Sequence, residues 1–414
     1  MLRWRVSRFA STLATFALLV GLAGCGAGRI VPAPVVSPQS PFGGAENLPP
    51  PPSSMPPPAA SGPVKVALLV PLSGANAELG KAMLEAAQLA LFTTGSDQLT
   101  LVPRDTGGTA QGAAAAARAA IAEKAQLILG PLLAGEVEAV GPIARTAHVN
   151  VIAFSTATQL AGGNVFLMGF LPRQEVAREV AFSHERGLNR FAALAPNSPY
   201  GHLMTDALRE AAGANGGSVG RIEYLDPRGS DLAAAIQRLL GSGGPGPGAA
   251  PPASPGFDAL LLPEGGAQLK EIARQLRGAG LDPARVRLLG SGLWDDASIA
   301  GEPALDGGWF AASPPEPRRE FESRFQTTYG HPAPRLASLA FDAAALAAVL
   351  AKSGGGTPFS QEAILNPSGF TGVDGLFRFT PRGLVQRGLA VLEVAPQGDS
   401  VVSPAPQSFQ AFAY

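Results

Sequence analysis

The sequence predicts an α/β protein made of two doubly wound parallel-sheet lobes joined by a hinge with several crossovers. Three observations carry this expectation. Short apolar runs alternate with amphipathic stretches of about 10–15 residues, the rhythm of βαβ units. The apolar runs are continuous, as in Val66-Ala67-Leu68-Leu69-Val70, which fits strands covered by helices on both faces. The rhythm pauses near Pro172 and restarts, and 414 residues suit two domains at roughly 150 residues each.

Taken in order, the first lobe opens with a strand over 64–70 that stops at Pro71-Leu72-Ser73-Gly74. A helix over 78–92, a strand over 99–102 and an Ala-rich helix over 110–123 follow. A strand over 127–129 ends at Gly130-Pro131, then come a helix over 136–147 and a strand over 149–154. The second lobe repeats the pattern: strands over 191–195, 219–225, 257–262 and 286–289, separated by helices over 174–186, after Gly201, over 232–240 and over 267–276. Residues 309–312 and helices over 320–329 and 337–352 read as a return to the first lobe. Strands over 375–379 and 389–394 complete the chain. The expected division is 64–171 with 294–388 in the first lobe, and 172–293 with 389–414 in the second. Residues 241–256 hold 11 Gly or Pro in 16 positions and read as a flexible surface insertion, because long surface loops cost little extra closure entropy.

The N-terminal 24 residues read as an export signal. Arg3, Arg5 and Arg8 precede an apolar run of fourteen residues, 9–22, too short for a spanning helix of about 20. The cut site Leu22-Ala23-Gly24-Cys25 resembles a bacterial lipobox, which implies lipidation of Cys25, the one cysteine of the chain. Lipid chains, buried at about 0.8 kcal/mol per CH₂, would then hold the protein on a membrane face. Gly26 in place of an Asp leans towards the outer membrane. Residues 25–63 form a linker with twelve prolines between Pro32 and Pro63. Its 38 residues after Cys25 would reach roughly 115 Å if fully extended at about 3.1 Å each.

Composition removes several function classes. A formal net charge of −1 gives no basic footprint, so nucleic-acid binding is set aside. A single cysteine allows no intrachain disulfide, thiolate zinc cluster or CxxC centre. His148, His184, His202 and His331 are scattered, and neither an HExxH nor a P-loop occurs. A formal GxGxxG at Gly241, Gly243 and Gly246 follows a helix and contains Pro245, so its dinucleotide context fails. Asp295-Asp296 reads as a solvated loop, since adjacent side chains point apart. No catalytic constellation or cofactor site emerges, and the expectation is a non-enzymatic binding protein.

Four segments in order give the binding reading a shape: Lys65-Val66-Ala67-Leu68-Leu69-Val70-Pro71-Leu72-Ser73-Gly74, Leu129-Gly130-Pro131, Ile152-Ala153-Phe154-Ser155-Thr156-Ala157-Thr158 and Ser198-Pro199-Tyr200-Gly201. Together they resemble the type 1 periplasmic binding proteins, the leucine/isoleucine/valine-binding family, over residues 64 to about 400. With lipobox and linker, the chain is also similar to penicillin-binding protein activators. That resemblance implies a lipid-anchored partner of a peptidoglycan synthase. The alternative is the receptor of an ABC importer that binds an amino-acid-like solute.

Ligands of open α/β sheets bind beyond the carboxyl ends of strands, where helix N-termini offer free N–H groups. The expected cleft residues are Ser73, Ala134, Gly135, Ser155, Thr156, Thr158, Tyr200, Glu264 and Trp294. Ser155, Thr156 and Thr158 also suit plain helix caps, worth about 1 kcal/mol. Two departures stand out against amino-acid-binding relatives. Leu133-Ala134-Gly135 lacks the hydroxyls implied for an α-carboxylate. Gly290-Ser291-Gly292-Leu293-Trp294 lacks the acid implied for an α-ammonium, for which Glu264 is a substitute.

Overall fold

A computed structural model describes residues 62–226, 231–241, 255–353 and 357–409. The export signal, Cys25, nearly all of the linker and most of the Gly/Pro insertion lie outside the described residues.

The first lobe is a parallel sheet of β1 (Val64–Val70), β2 (Leu99–Asp105), β3 (Leu127–Leu129), β4 (Asn150–Ala153) and β5 (Val165–Leu167). Their spatial order is β2-β1-β3-β4-β5. Between the strands run α1 (Ala77–Thr94), α2 (Ala110–Ala122) and α3 (Ala134–Thr146). Alternation along β1 decides what covers each face. Val66, Leu68 and Val70 pack with Met83 and Ala87 of α1, while Ala67 and Leu69 pack with the alanines of α2 and with Val137 of α3.

The second lobe contains α4 (Pro172–Glu185), β6 (Arg190–Pro196), α5 (Pro199–Ala214), β7 (Ser218–Leu225), α6 (Leu232–Leu240), β8 (Ala259–Leu261), α7 (Gly266–Gly278), β9 (Arg287–Leu289) and β10 (Trp309–Ala312). The chain then returns to the first lobe through α8 (Pro315–Tyr329), α9 (Ala337–Lys352), α10 (Gln361–Ile364) and a small antiparallel sheet of β11 (Phe370–Gly372), β12 (Gly375–Phe379) and β13 (Val385–Arg387). It ends in β14 (Ala390–Glu393) and β15 (Ser400–Ser403), which join the second sheet in the order β15-β14-β10-β9-β8-β6-β7.

One expected boundary is corrected by this topology. Trp309–Ala312 pairs with β9 and β14 and is a central strand of the second sheet. The preceding stretch belongs there too, since Trp294, Ile299 and Leu305 lie in that lobe's core. The return to the first lobe begins at Ser313, not at residue 294.

The first βα turn of each lobe is closed by a glycine. A Cβ at Gly80 would lie 1.8 Å from the Pro71 carbonyl oxygen, and one at Gly201 would lie 1.9 Å from that of Pro196. Each helix therefore approaches its strand end more closely than any other residue permits.

Three stretches cross between lobes: residues 168–171, 313–314 and 388–389. An arginine network ties them. Two guanidiniums, of Arg335 and Arg387, stand 3.9 and 5.0 Å from the ring centroid of Phe170. Arg387 donates to the Met168 carbonyl at 2.8 Å. Arg335 meets Asp374 at 2.9 Å and donates to Ser313 Oγ at 3.4 Å.

Candidate functional site

The carboxyl ends of both sheets face the cleft between the lobes. On the first lobe's side lies an open cavity of about 510 Å³, lined chiefly by Leu79, Leu133, Ala134, Ser155, Thr156 and Phe170. The wall is mostly apolar because each turn that reaches it ends a buried strand. Of its polar side chains, Asn76, Ser155 and Thr156, Ser155 is engaged within the lobe. Ser155 is buried, and its Oγ accepts the Ala157 N–H at 3.2 Å. The expected cap there takes a tighter form, since only a single 3₁₀ turn, Thr158–Leu160, follows β4. Thr156 and Thr158 are exposed.

At the N-terminus of α3, Ala134 and Gly135 form the exposed first turn, and Ala134 lines the cavity. Glu136 folds back so that its Oε2 accepts the Leu133 N–H at 2.9 Å. It is 1% exposed, and its Oε1 has no hydrogen-bond partner. Ser73 turns away from this wall. Its hydroxyl and backbone N–H both serve Asp105, whose carboxyl they hold below the usual range together with the N–H groups of Gly107 and Leu72.

The second lobe's wall is acidic. Tyr200 sits in the first turn of α5, and its hydroxyl bonds Ser291. Burial, followed by the nearby Glu175, Glu179 and Glu264, raises its pKa. Glu175 on α4 is buried and pushed up to about 6, mainly by desolvation, although its Oε2 accepts the Gly292 N–H at 2.8 Å. Glu179, one turn further, is raised well above the ordinary carboxylate range by burial. Its Oε1 accepts the Ala311 N–H at 2.8 Å and its Oε2 has no partner. Glu264 follows β8 and precedes α7, whose N-cap is Gly265. It is half-buried, its pKa is raised by desolvation alone, and it makes no hydrogen bond or ion pair with any described group.

Two expectations fail at this wall. Trp294 is fully buried in the second lobe's core, and its indole N–H donates to the Leu262 carbonyl at 3.2 Å. It is not a cleft residue. Its room is made by Gly290 and Gly308, where a Cβ would stand 2.3 and 2.7 Å from the indole. Asp295 is likewise not solvated. Its side chain is 6% exposed and forms a two-pronged pair with Arg318 of α8, one contact being 2.7 Å from Nη2. Arg335 stands 3.5 Å away. This pair links the second lobe directly to the first, and adjacency to Asp296 gave no sign of it.

A Gly216-Gly217-Ser218-Val219-Gly220 run, formally GxSxG, carries no nucleophile. Ser218 is exposed and opens strand β7, whereas the hydrolase elbow needs a sharp turn from strand into helix. Among the described residues no group of three or more His, Cys, Asp or Glu could hold a metal ion. No described helix is long and apolar enough to cross a membrane.

Comparison with known proteins agrees with this geometry. A branched-chain amino acid ABC transporter protein from Rhodospirillum rubrum superposes with a TM-score of 0.70 at 20% identity, covering 82% of this chain and 100% of the other. An ABC transporter substrate-binding protein from Sphaerobacter thermophilus gives 0.67 at 22% identity, covering 83% and 98%. At these identities the likeness is one of fold. An uncharacterized protein of Rickettsia prowazekii is 21% identical over 176 residues, 42% of this chain. The chain spans about half the length of that curated relative, 47%. The periplasmic binding protein model matches residues 63–399, and the chain therefore belongs to the periplasmic binding protein family.

Proposed function

We propose that this chain is a non-enzymatic solute-binding protein that takes a small, partly apolar ligand between its lobes and serves an ABC importer. The observation that carries the reading is the pairing of two unlike walls. An apolar half-site of about 510 Å³ lies on the first lobe, and on the second Glu264 has no partner in a half-buried position beside Tyr200. A carboxylate left desolvated and unpaired is costly unless a ligand completes it. The proteins similar in fold are transporter components by their names, which agrees with this reading. A periplasmic or extracellular location goes with the family.

Thermal shift of the full chain tests the proposal. A true ligand at 100 times its Kd stabilises the fold by about 2.7 kcal/mol. Tyr200→Ala with Glu264→Ala should abolish that shift. A panel of small amines, amides and amino acids that produces no saturable shift would overturn the reading.

A second reading rests on the sequence. The Leu22-Ala23-Gly24-Cys25 lipobox and the proline-rich residues 25–63 suit a lipid-anchored activator of a peptidoglycan synthase. Removing about half of the linker shortens its span by roughly 60 Å. If complementation is lost with the short linker and kept with the double cleft variant, the activator reading replaces the receptor.

A further inference from the structure

Resting on the receptor reading, we infer that Phe170 is the positioning residue that carries the state of the first-lobe cavity into the crossings between the lobes. One ring meets both. Phe170 lines the cavity of about 510 Å³, next to Leu336. Of the residues lining that cavity, only Phe170 lies in a crossing, the stretch 168–171. Two guanidiniums stand over its ring, Arg335 at 3.9 Å and Arg387 at 5.0 Å from the centroid. Simple packing is the plain alternative, since Phe170 also touches the first lobe's core.

The two cations lead on to the other crossings. Arg335 donates to Ser313 Oγ at 3.4 Å and stands 3.5 Å from Asp295 of the second lobe. Arg387 immediately precedes the crossing at 388–389. Its Nη2 donates to the Met168 carbonyl at 2.8 Å, and its backbone N–H donates to Gln174 Oε1 of α4 at 3.0 Å. The residue is 5% exposed, and its Nε and Nη1 have no hydrogen-bond partner among the described residues. The rings of Phe170 and Phe377, at 5.0 and 5.5 Å, face this part of the charge instead. A buried cation short of hydrogen bonds is costly to strip of such neighbours, so the ring and the guanidinium move together. Interiors are close-packed, and a ring pressed from the cavity side shifts only if these partners shift with it. Contact in the cavity is thereby felt at all three crossings.

Hydrogen exchange of the full chain tests this with no solute added, an indole built into the cavity serving as the occupant. Thr156 and Ala134 are exposed and line the cavity from different turns, so Thr156→Trp and Ala134→Trp each fill it without displacing a buried side chain. At least one of them should change exchange at Ser313 and at Gly388, whose N–H donates to the Leu376 carbonyl at 2.8 Å, by threefold or more, with β6 unchanged. Phe170→Leu keeps an apolar wall and loses the ring face. In that background the same indole should change exchange less than twofold, and Phe170→Tyr should restore the response. A residue that only packs would shift the baseline of both backgrounds and leave the response intact. A threefold response that survives Phe170→Leu therefore overturns the inference, as does the lack of any response to either indole in the presence of Phe170. Phe170→Met gives the same comparison if the leucine variant does not fold. None of these outcomes bears on the receptor reading, which the thermal-shift panel tests separately.

Discussion

The two lobes share a skeleton and differ in what they bring to the cleft. Each begins with a buried parallel strand, a glycine-closed βα turn and a helix, Gly80 playing in the first the part that Gly201 plays in the second. Yet the first lobe ends in leucines, a phenylalanine and two hydroxyls, with the Glu136 carboxylate turned back onto its own helix end. The second ends in Tyr200, Glu264 and a buried pair of glutamates. Architecture therefore sets where a ligand sits, and the residues just past each strand end set which one.

Trp294→Ala should destabilise the protein by about 3–5 kcal/mol, the usual cost of emptying a buried indole site. Denaturant unfolding would show it as a lower midpoint at unchanged slope. A loss of ligand affinity with the unfolding midpoint intact would return Trp294 to the cleft and erase part of the contrast between walls.

Asp295→Asn removes the anion that joins the lobes and strands Arg318, at 14% side-chain exposure, with a weaker partner. Hydrogen bonds to charged groups are worth about 1.5–3 kcal/mol, and a loss of about 2 kcal/mol is expected. Hydrogen exchange should rise in the crossings at 168–171 and 313–314 and in the cleft turns, and not in β1 or β6. Equal rises in both cores would mean that the pair stabilises the fold as a whole and does not hold the lobes to one another.

Acidity should act on the second lobe. The Glu175 carboxyl stands at about 6 in the folded chain, against 4.5 for an ordinary glutamate. Its protonated form is thus favoured by folding, and that stability is full below pH 4.5 and lost as pH rises through about 6. The shift corresponds to about 2 kcal/mol. Glu179, also raised, adds in the same direction. Glu175→Gln should flatten the stability profile between pH 4.5 and 7. An unchanged slope in that variant would assign the pH dependence elsewhere.

Much of this contrast was legible in the sequence and part was not. The strand-and-helix alternation gave both lobes, because the buried stretch of a parallel strand must be apolar, as β1 is beyond Lys65 and β6 beyond Arg190. The lobe of Trp309–Ala312 was not legible, since such a strand looks the same in either sheet and only its neighbours β9 and β14 decide. The three-residue β5 was missed, short and set behind Gly162-Gly163. At the site, Tyr200 and Glu264 follow from their places after strand ends. The burial of Trp294 depends on Gly308, fourteen positions away, and the pairing of Asp295 on Arg318, twenty-three away. Those are tertiary facts with no local pattern.

The smallest effect tests the claim that the first wall is satisfied from within. Ser155 lines that wall, yet its oxygen already receives the Ala157 N–H at 3.2 Å and the residue is buried. Ser155→Ala removes that turn bond and leaves one backbone donor to water or to strain. Loss of a comparable side-chain cap costs about 1 kcal/mol, so the melting temperature should fall by only a few degrees. Binding of a cleft ligand should change less than threefold, since Leu79, Leu133 and Phe170 supply most of the surface on that wall. A drop of tenfold or more, without a matching loss of stability, would place a ligand oxygen on the Ser155 hydroxyl. The first wall would then contribute a polar contact, and the division of labour between the lobes would have to be redrawn around that hydroxyl.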